Sequence, residues 1–164
     1  MKRILLAALA STALMAGSAQ AAEVELALSH WVPATHPLQP LGMEPWAKSI
    51  EEDSNGRIKI TIYPSQQLGA APDHYDMARD GIVDIAFINP GYQAGRFPII
   101  SAAELPFQAS NAKGGSRAVA EWYAKYAEKE MGDTYVCMVH FHDPGTIHSK
   151  EGPLAVPADL EGKN

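Results

Sequence analysis

At 164 residues, 46% hydrophobic and 20% charged, the chain has the composition of about one globular domain, which excludes a low-complexity tract. Its formal net charge of -6 argues against nucleic-acid binding, which needs clustered cations to neutralise phosphates. An anionic ligand stays possible, because a binding site needs local cations and not a basic surface.

Residues 1–21 read as an export leader. Lys2 and Arg3 form the positive end, residues 4–17 the apolar stretch, and Ala19-Gln20-Ala21 the small-x-small cleavage pattern. The apolar stretch is shorter than the ~20 residues of a spanning helix, and no later segment approaches that length. The expected product is a periplasmic protein that inserts nowhere in the membrane once the leader is cleaved. Losing Lys2 and Arg3 leaves 11 basic against 19 acidic residues. Cys137 is alone, so no internal disulfide forms. Its apolar setting, Tyr135-Val136-Cys137-Met138-Val139, predicts a buried packing residue.

From residue 23 the chain alternates strand and helix signals. Residues 23–29 alternate with period two, as a half-buried strand does. After a proline-rich loop at 30–40, Leu38, Leu41, Trp46 and Ile50 predict one face of a helix reaching Asp53, with Ser54-Asn55-Gly56 as its C-cap. Ile58, Ile60 and Ile62 alternate with polar residues in a second strand. Pro72-Asp73 opens a short helix that Gly81 closes. Residues 82–88, nearly all apolar, predict a buried third strand. The spacing then predicts one long helix over 111–131, with Val119, Trp122 and Tyr126 on one face, and a fourth strand over 134–141. This alternation implies an α/β fold with a mostly parallel sheet and helices on both faces.

The third strand breaks into Asn89-Pro90-Gly91-Tyr92, a turn rich in polar and backbone-permissive residues. Loops at strand ends are where ligands are usually gripped. No nucleophile-and-base pair, Gly-x-Ser-x-Gly elbow or phosphate loop occurs, so binding is expected rather than catalysis. No cofactor is implied. Lys113-Gly114-Gly115-Ser116 reads as the first turn of a helix.

The rival signal is His140-Phe141-His142-Asp143, followed by His148. On a strand, His140 and His142 share a face and can both reach a metal. The alternative reading is therefore a small secreted metal-dependent hydrolase or metal-binding protein using His140, His142, Asp143 and His148. The aspartate comes one residue early for the His-x-His-x-Asp-His pattern. Only 22 residues follow His142, too few for the barrel of an amidohydrolase.

Several pieces together resemble the solute-binding proteins of tripartite ATP-independent periplasmic (TRAP) transporters, the DctP-like family. They are Trp46-Ala47, Ser54-Asn55-Gly56-Arg57, Tyr63-Pro64 with Gln67-Leu68-Gly69, and Asp80-Gly81-Ile82-Val83-Asp84-Ile85-Ala86. Gly95-Arg96-Phe97-Pro98, Glu104-Leu105-Pro106-Phe107 and the run from Pro157 to Lys163 complete the set. The resemblance implies a non-enzymatic, type II-like periplasmic binding protein of two lobes. Such a protein hands an organic acid, expected as a dicarboxylate or a keto or hydroxy acid, to membrane permease subunits driven by an ion gradient.

It further implies that residues 22–142 are the first ligand-binding lobe and that 143–164 cross toward a second lobe this chain lacks. The family's ligand-pairing arginine, which follows the Asp-Leu-x-Gly motif, is then absent too. Arginine suits that task because its planar fork donates two parallel hydrogen bonds to a carboxylate. Candidate ligand contacts within the chain are Asn89 and Tyr92 after the third strand, and His30, Trp31 and His36 after the first. Thr146 and His148 join them on the crossover. Arg96 is the cation nearest the 89–92 turn and a candidate replacement for that arginine, with a surface ion pair or a structural contact the stronger expectation.

Overall fold

The computed structural model describes residues 22–143, 145, 147–150 and 152–162. The expected leader and Thr146 lie outside the described residues. Among the described residues, β1 (Val24–Ser29), β2 (Ile58–Tyr63) and β3 (Ile85–Ala86) form a parallel sheet in the order β2-β1-β3. Val24 pairs with Ile58, Ser29 with Tyr63, and Leu28 with Ile85. Along β2, half-buried Ile58, Ile60 and Ile62 alternate with exposed Lys59 and Thr61, as their period requires.

β3 is shorter than the strand expected over 82–88. The Asp84 carboxylate, not a backbone carbonyl, accepts from the Ala27 N–H at 2.8 Å, and this ends regular pairing. Backbone bonds from Asp84 N–H to Ala27 and from Phe87 N–H to Ser29 still hold the run against β1. Val83 is buried while Ile82 is 65% exposed.

The first helix, α1 (Glu44–Asp53), is entered through a π-helical turn, Gln39–Met43, in which Glu44 N–H reaches the Gln39 carbonyl. Pro45 has no N–H for the Leu41 carbonyl, so regular i to i−4 bonding fails there. The wider turn rephases the helix. Its buried face runs through Gln39, Met43 and Ala47, not the expected Leu41 and Trp46, which are exposed. Asn55, with a φ of 54°, closes α1. Its N–H bonds to Glu52 and that of Gly56 to Glu51, the paired bonds of a Schellman cap. α2 (His74–Arg79) ends the same way around Gly81, whose φ is 70°.

The long helix expected over 111–131 is instead two, α4 (Ala112–Tyr123) and α5 (Ala127–Met131). The break folds α5 back so that Glu130 meets the Tyr123 hydroxyl at 2.8 Å and the Ile99 and Ile100 N–H groups. Those two amides open α3 (Pro98–Ser101), so one carboxylate caps α3 and satisfies a buried phenol. Tyr75, Phe97, Ile100, Val119, Tyr123 and Met131 make the core beside these helices.

Residues 134–141 are not a strand. The run pairs with no described strand; it packs Val136, Val139 and Phe141 on the core instead. The Ser116 hydroxyl accepts from Phe141 N–H at 2.9 Å and donates to the Phe141 carbonyl at 3.3 Å, replacing ladder bonds. Cys137 is exposed rather than buried, since the run has one face on the core and the other in solvent. No helix among the described residues is long and apolar enough to cross a membrane.

Candidate functional site

Four rings stand in a row where the strands end. Trp31 follows β1 and Phe87 follows β3, and β1 and β3 are neighbours, so parallel pairing sets the two rings side by side. Their centroids are 4.7 Å apart and their planes 18° from parallel. Tyr92 meets the Trp31 ring edge-on at 5.4 Å, and His140 stacks on Phe87 at 5.5 Å. Trp31 and Phe87 are half-buried, whereas Tyr92 is 47% exposed and His140 is exposed. A partly open aromatic wall at the carboxyl ends of parallel strands is where α/β sheets commonly bind ligands.

The floor of the wall is buried and polar. His74 touches Trp31 edge-on at 6.3 Å. It is fully buried, its Nδ1 donating to the Ala70 carbonyl and its Nε2 in a hydrogen bond with Ser29 Oγ at 3.0 Å. His30 is also fully buried. Its Nε2 donates to Gln39 Oε1, and Gln39 Nε2 donates to Glu44 at 2.9 Å. Among the described residues, the other ring nitrogen of His30 has no partner in hydrogen-bond geometry. Burial holds His30 below the ordinary imidazole value, partly opposed by the Gln39 bond.

The candidate residues therefore separate. Trp31 and Tyr92 meet in the row, and His30 lies behind it. Asn89 borders it, with Oδ1 accepting from Gly91 N–H at 3.0 Å, so that part of its side chain shapes the turn. His36 is exposed and Nδ1 takes the Leu38 N–H, a local bond at the entrance to the π turn. His148 is exposed and engaged in a contact of its own. Arg96 donates two bonds to Asp76, at 2.7 and 2.8 Å, and lies over the Tyr75 ring at 4.6 Å. That fork, chiefly through its hydrogen bonds, lowers the Asp76 carboxyl to about 2. Arg96 is thus a structural ion pair.

Two members of the row escape sequence reasoning in this role. Phe87 has no mark beyond apolarity, and His140 carried only a metal reading. Among the described residues, no group of three or more His, Cys, Asp or Glu converges on a metal site. Asp143 Oδ1 takes the Ala112 N–H at the start of α4, and His142 Nδ1 donates to the Asp143 carbonyl. A shallow groove lined by Lys48, Glu51, Glu52, Asn55 and Gly56 lies at the C-terminal end of α1.

Residues 28–164 match the bacterial extracellular solute-binding proteins of family 7, DctP. The chain belongs to this family. Its members are transport proteins and not enzymes. A relative from Comamonas testosteroni, named outer membrane transporter protein TsaT, is 28% identical over 99% of this chain and 48% of its own.

Among solved structures, a TRAP solute-binding protein from Rhodoferax ferrireducens in complex with copurified benzoate is 38% identical. Its TM-score is 0.79, and the match covers 84% of this chain and 43% of that one. A marine-metagenome TRAP solute-binding protein specific for aromatic acid ligands, in complex with 3-hydroxybenzoate, is likewise 38% identical. There the TM-score is 0.81 and the coverage 87% and 45%. The chain spans somewhat under half the length of these relatives.

Proposed function

We propose that this family-7 protein captures an aromatic carboxylic acid in the periplasm and delivers it to the membrane permease of a TRAP importer. Residues 1–21 act as the cleaved leader, 22–142 as the first ligand-binding lobe, and 143–164 as the crossover toward a second. The observation that carries the reading is the row Tyr92–Trp31–Phe87–His140. A wall of rings favours a flat aromatic ligand, because offset and edge-on contacts add attraction beyond area burial. An aliphatic dicarboxylate would gain little from it. Arg96 is occupied by Asp76, so the anchor for the ligand carboxylate belongs on the facing lobe. Benzoate and 3-hydroxybenzoate in the two similar proteins fit the same class of ligand. Asn89, Tyr92, His30, Trp31 and His36, with Thr146 and His148, remain the proposed contacts on this side, Trp31 and Tyr92 foremost.

The test is a thermal-shift and calorimetric screen of the protein expressed from its complete reading frame. Benzoate and 3-hydroxybenzoate should raise the melting midpoint, since a ligand that binds the native state stabilises it, and succinate should not. A shift with succinate and none with either aromatic acid sinks the reading.

A further inference from the structure

We propose that His140 reads a polar substituent on the ring of the bound acid, so that it sets which aromatic acid is preferred. This rests on the aromatic-acid reading above. His140 ends the row, its face stacked on Phe87 with planes 25° apart. Stacking occupies a face of the imidazole and leaves its rim, where both nitrogens lie, clear of the Phe87 ring. Among the described residues, no hydrogen bond engages either nitrogen. His140 therefore offers a donor and an acceptor at the edge of an otherwise largely apolar surface.

Three contacts hold the ring there. Phe141 is clamped at both its N–H and its carbonyl by Ser116 Oγ. Two residues on, Asp143 is tied to the Ala112 N–H. Gly115 admits the Phe141 ring to α4, because a Cβ on Gly115 would lie 2.5 Å from Phe141 Cδ2. His140 is thus placed by the residues that follow it, with Val139 packed on the core just before it. Although the residue is exposed, its stacked face is shielded, and this, with His142 nearby, holds the imidazole below its usual value. A neutral imidazole both donates and accepts, which suits a hydroxyl better than a second carboxylate.

The test compares benzoate, 3-hydroxybenzoate and 4-hydroxybenzoate by calorimetry on the protein expressed from its complete reading frame, wild type and His140→Phe. Phenylalanine keeps a stacked ring and removes the polar rim, and an exposed site leaves no cavity. Wild type should bind one hydroxybenzoate roughly three- to tenfold tighter than benzoate, the ratio one neutral hydrogen bond provides. H140F should lose that preference, read as the ratio of its hydroxybenzoate and benzoate affinities, whatever the change common to all three acids. His140→Gln, which retains donor and acceptor, should keep more of the preference than H140F. Equal loss for all three acids, or an unchanged preference in H140F, overturns the proposal. A wild-type protein that binds benzoate but prefers no hydroxybenzoate overturns it while leaving the aromatic-acid reading intact. Binding of none of the three overturns both.

Discussion

Trp31 lies flat against Phe87, centroids 4.7 Å apart, because each residue follows one of two neighbouring parallel strands. The contact joins two loops into one surface, and Tyr92 and His140 extend it at either end.

Replacing Trp31 with Ala removes the centre of that surface. Affinity for benzoate should fall about tenfold or more, since stacked and edge-on aromatic contacts are both lost. Stability should fall by about 2 kcal/mol, below the cost at a fully buried tryptophan because Trp31 is half-buried. Calorimetric titration with denaturant melts of the same samples checks both. Unchanged benzoate affinity would remove the row from the binding site.

Two adjacent glycines in α4 should respond to alanine with opposite signs. A Cβ on Gly115 would meet Phe141 Cδ2 at 2.5 Å and Ala109 Cβ at 2.7 Å, so G115A should cost about 1–2 kcal/mol despite the better helix former. At Gly114 the nearest atom, Asn111 Oδ1, is 3.4 Å away, and G114A should stabilise by about 0.5 kcal/mol. Urea midpoints of the two variants decide this. A gain in G115A would mean that Phe141 yields freely.

The Arg96–Asp76 pair should matter to folding and not to ligand charge. D76N should lose about 1 kcal/mol at neutral pH, a modest figure because both side chains are about one-third exposed and screened. Asp76 is depressed to about 2 in the folded state, so its contribution is complete above the ordinary aspartate value. It disappears as pH falls toward about 2. Denaturant melts at pH 7, 4 and 2 should show wild type and D76N converging only at the acid end.

Buried His30 adds a second acid sensitivity at higher pH. Its folded value lies below the ordinary one, so the unfolded chain binds the proton more readily. Its contribution is full above about 6.5 and declines as pH falls below that. His140, also depressed, adds to the same slope. His30→Gln keeps a donor toward Gln39 and removes the titration. Between pH 7.5 and 5.5 it should lose less stability than wild type. Parallel slopes for the two proteins would exclude His30 as the source.

Where local chemistry decides local structure, the sequence was legible. The Ile58–Ile62 alternation, the closures at Asn55 and Gly81, and the Asn89–Tyr92 turn all follow from period or from backbone freedom at single residues. The helix over 111–131 misled because its periodicity passes through a break that brings Glu130 back to Tyr123 and α3, contacts remote from any local signal. Likewise, residues 134–141 have the composition of a strand but no described strand beside them. β-propensity describes a surface fit to be paired, not the pairing itself.

By itself the sequence determined the α/β alternation through the third strand and the family, because each is written in short patterns of residue type and spacing. Only the tertiary structure decided which side chains share a surface. Trp31, Phe87 and His140 are far apart in the chain, and nothing local predicts that β1 lies between β2 and β3. That adjacency, with the clamp of Ser116 on Phe141, turns an apolar residue and a metal-like histidine into two rings of one wall.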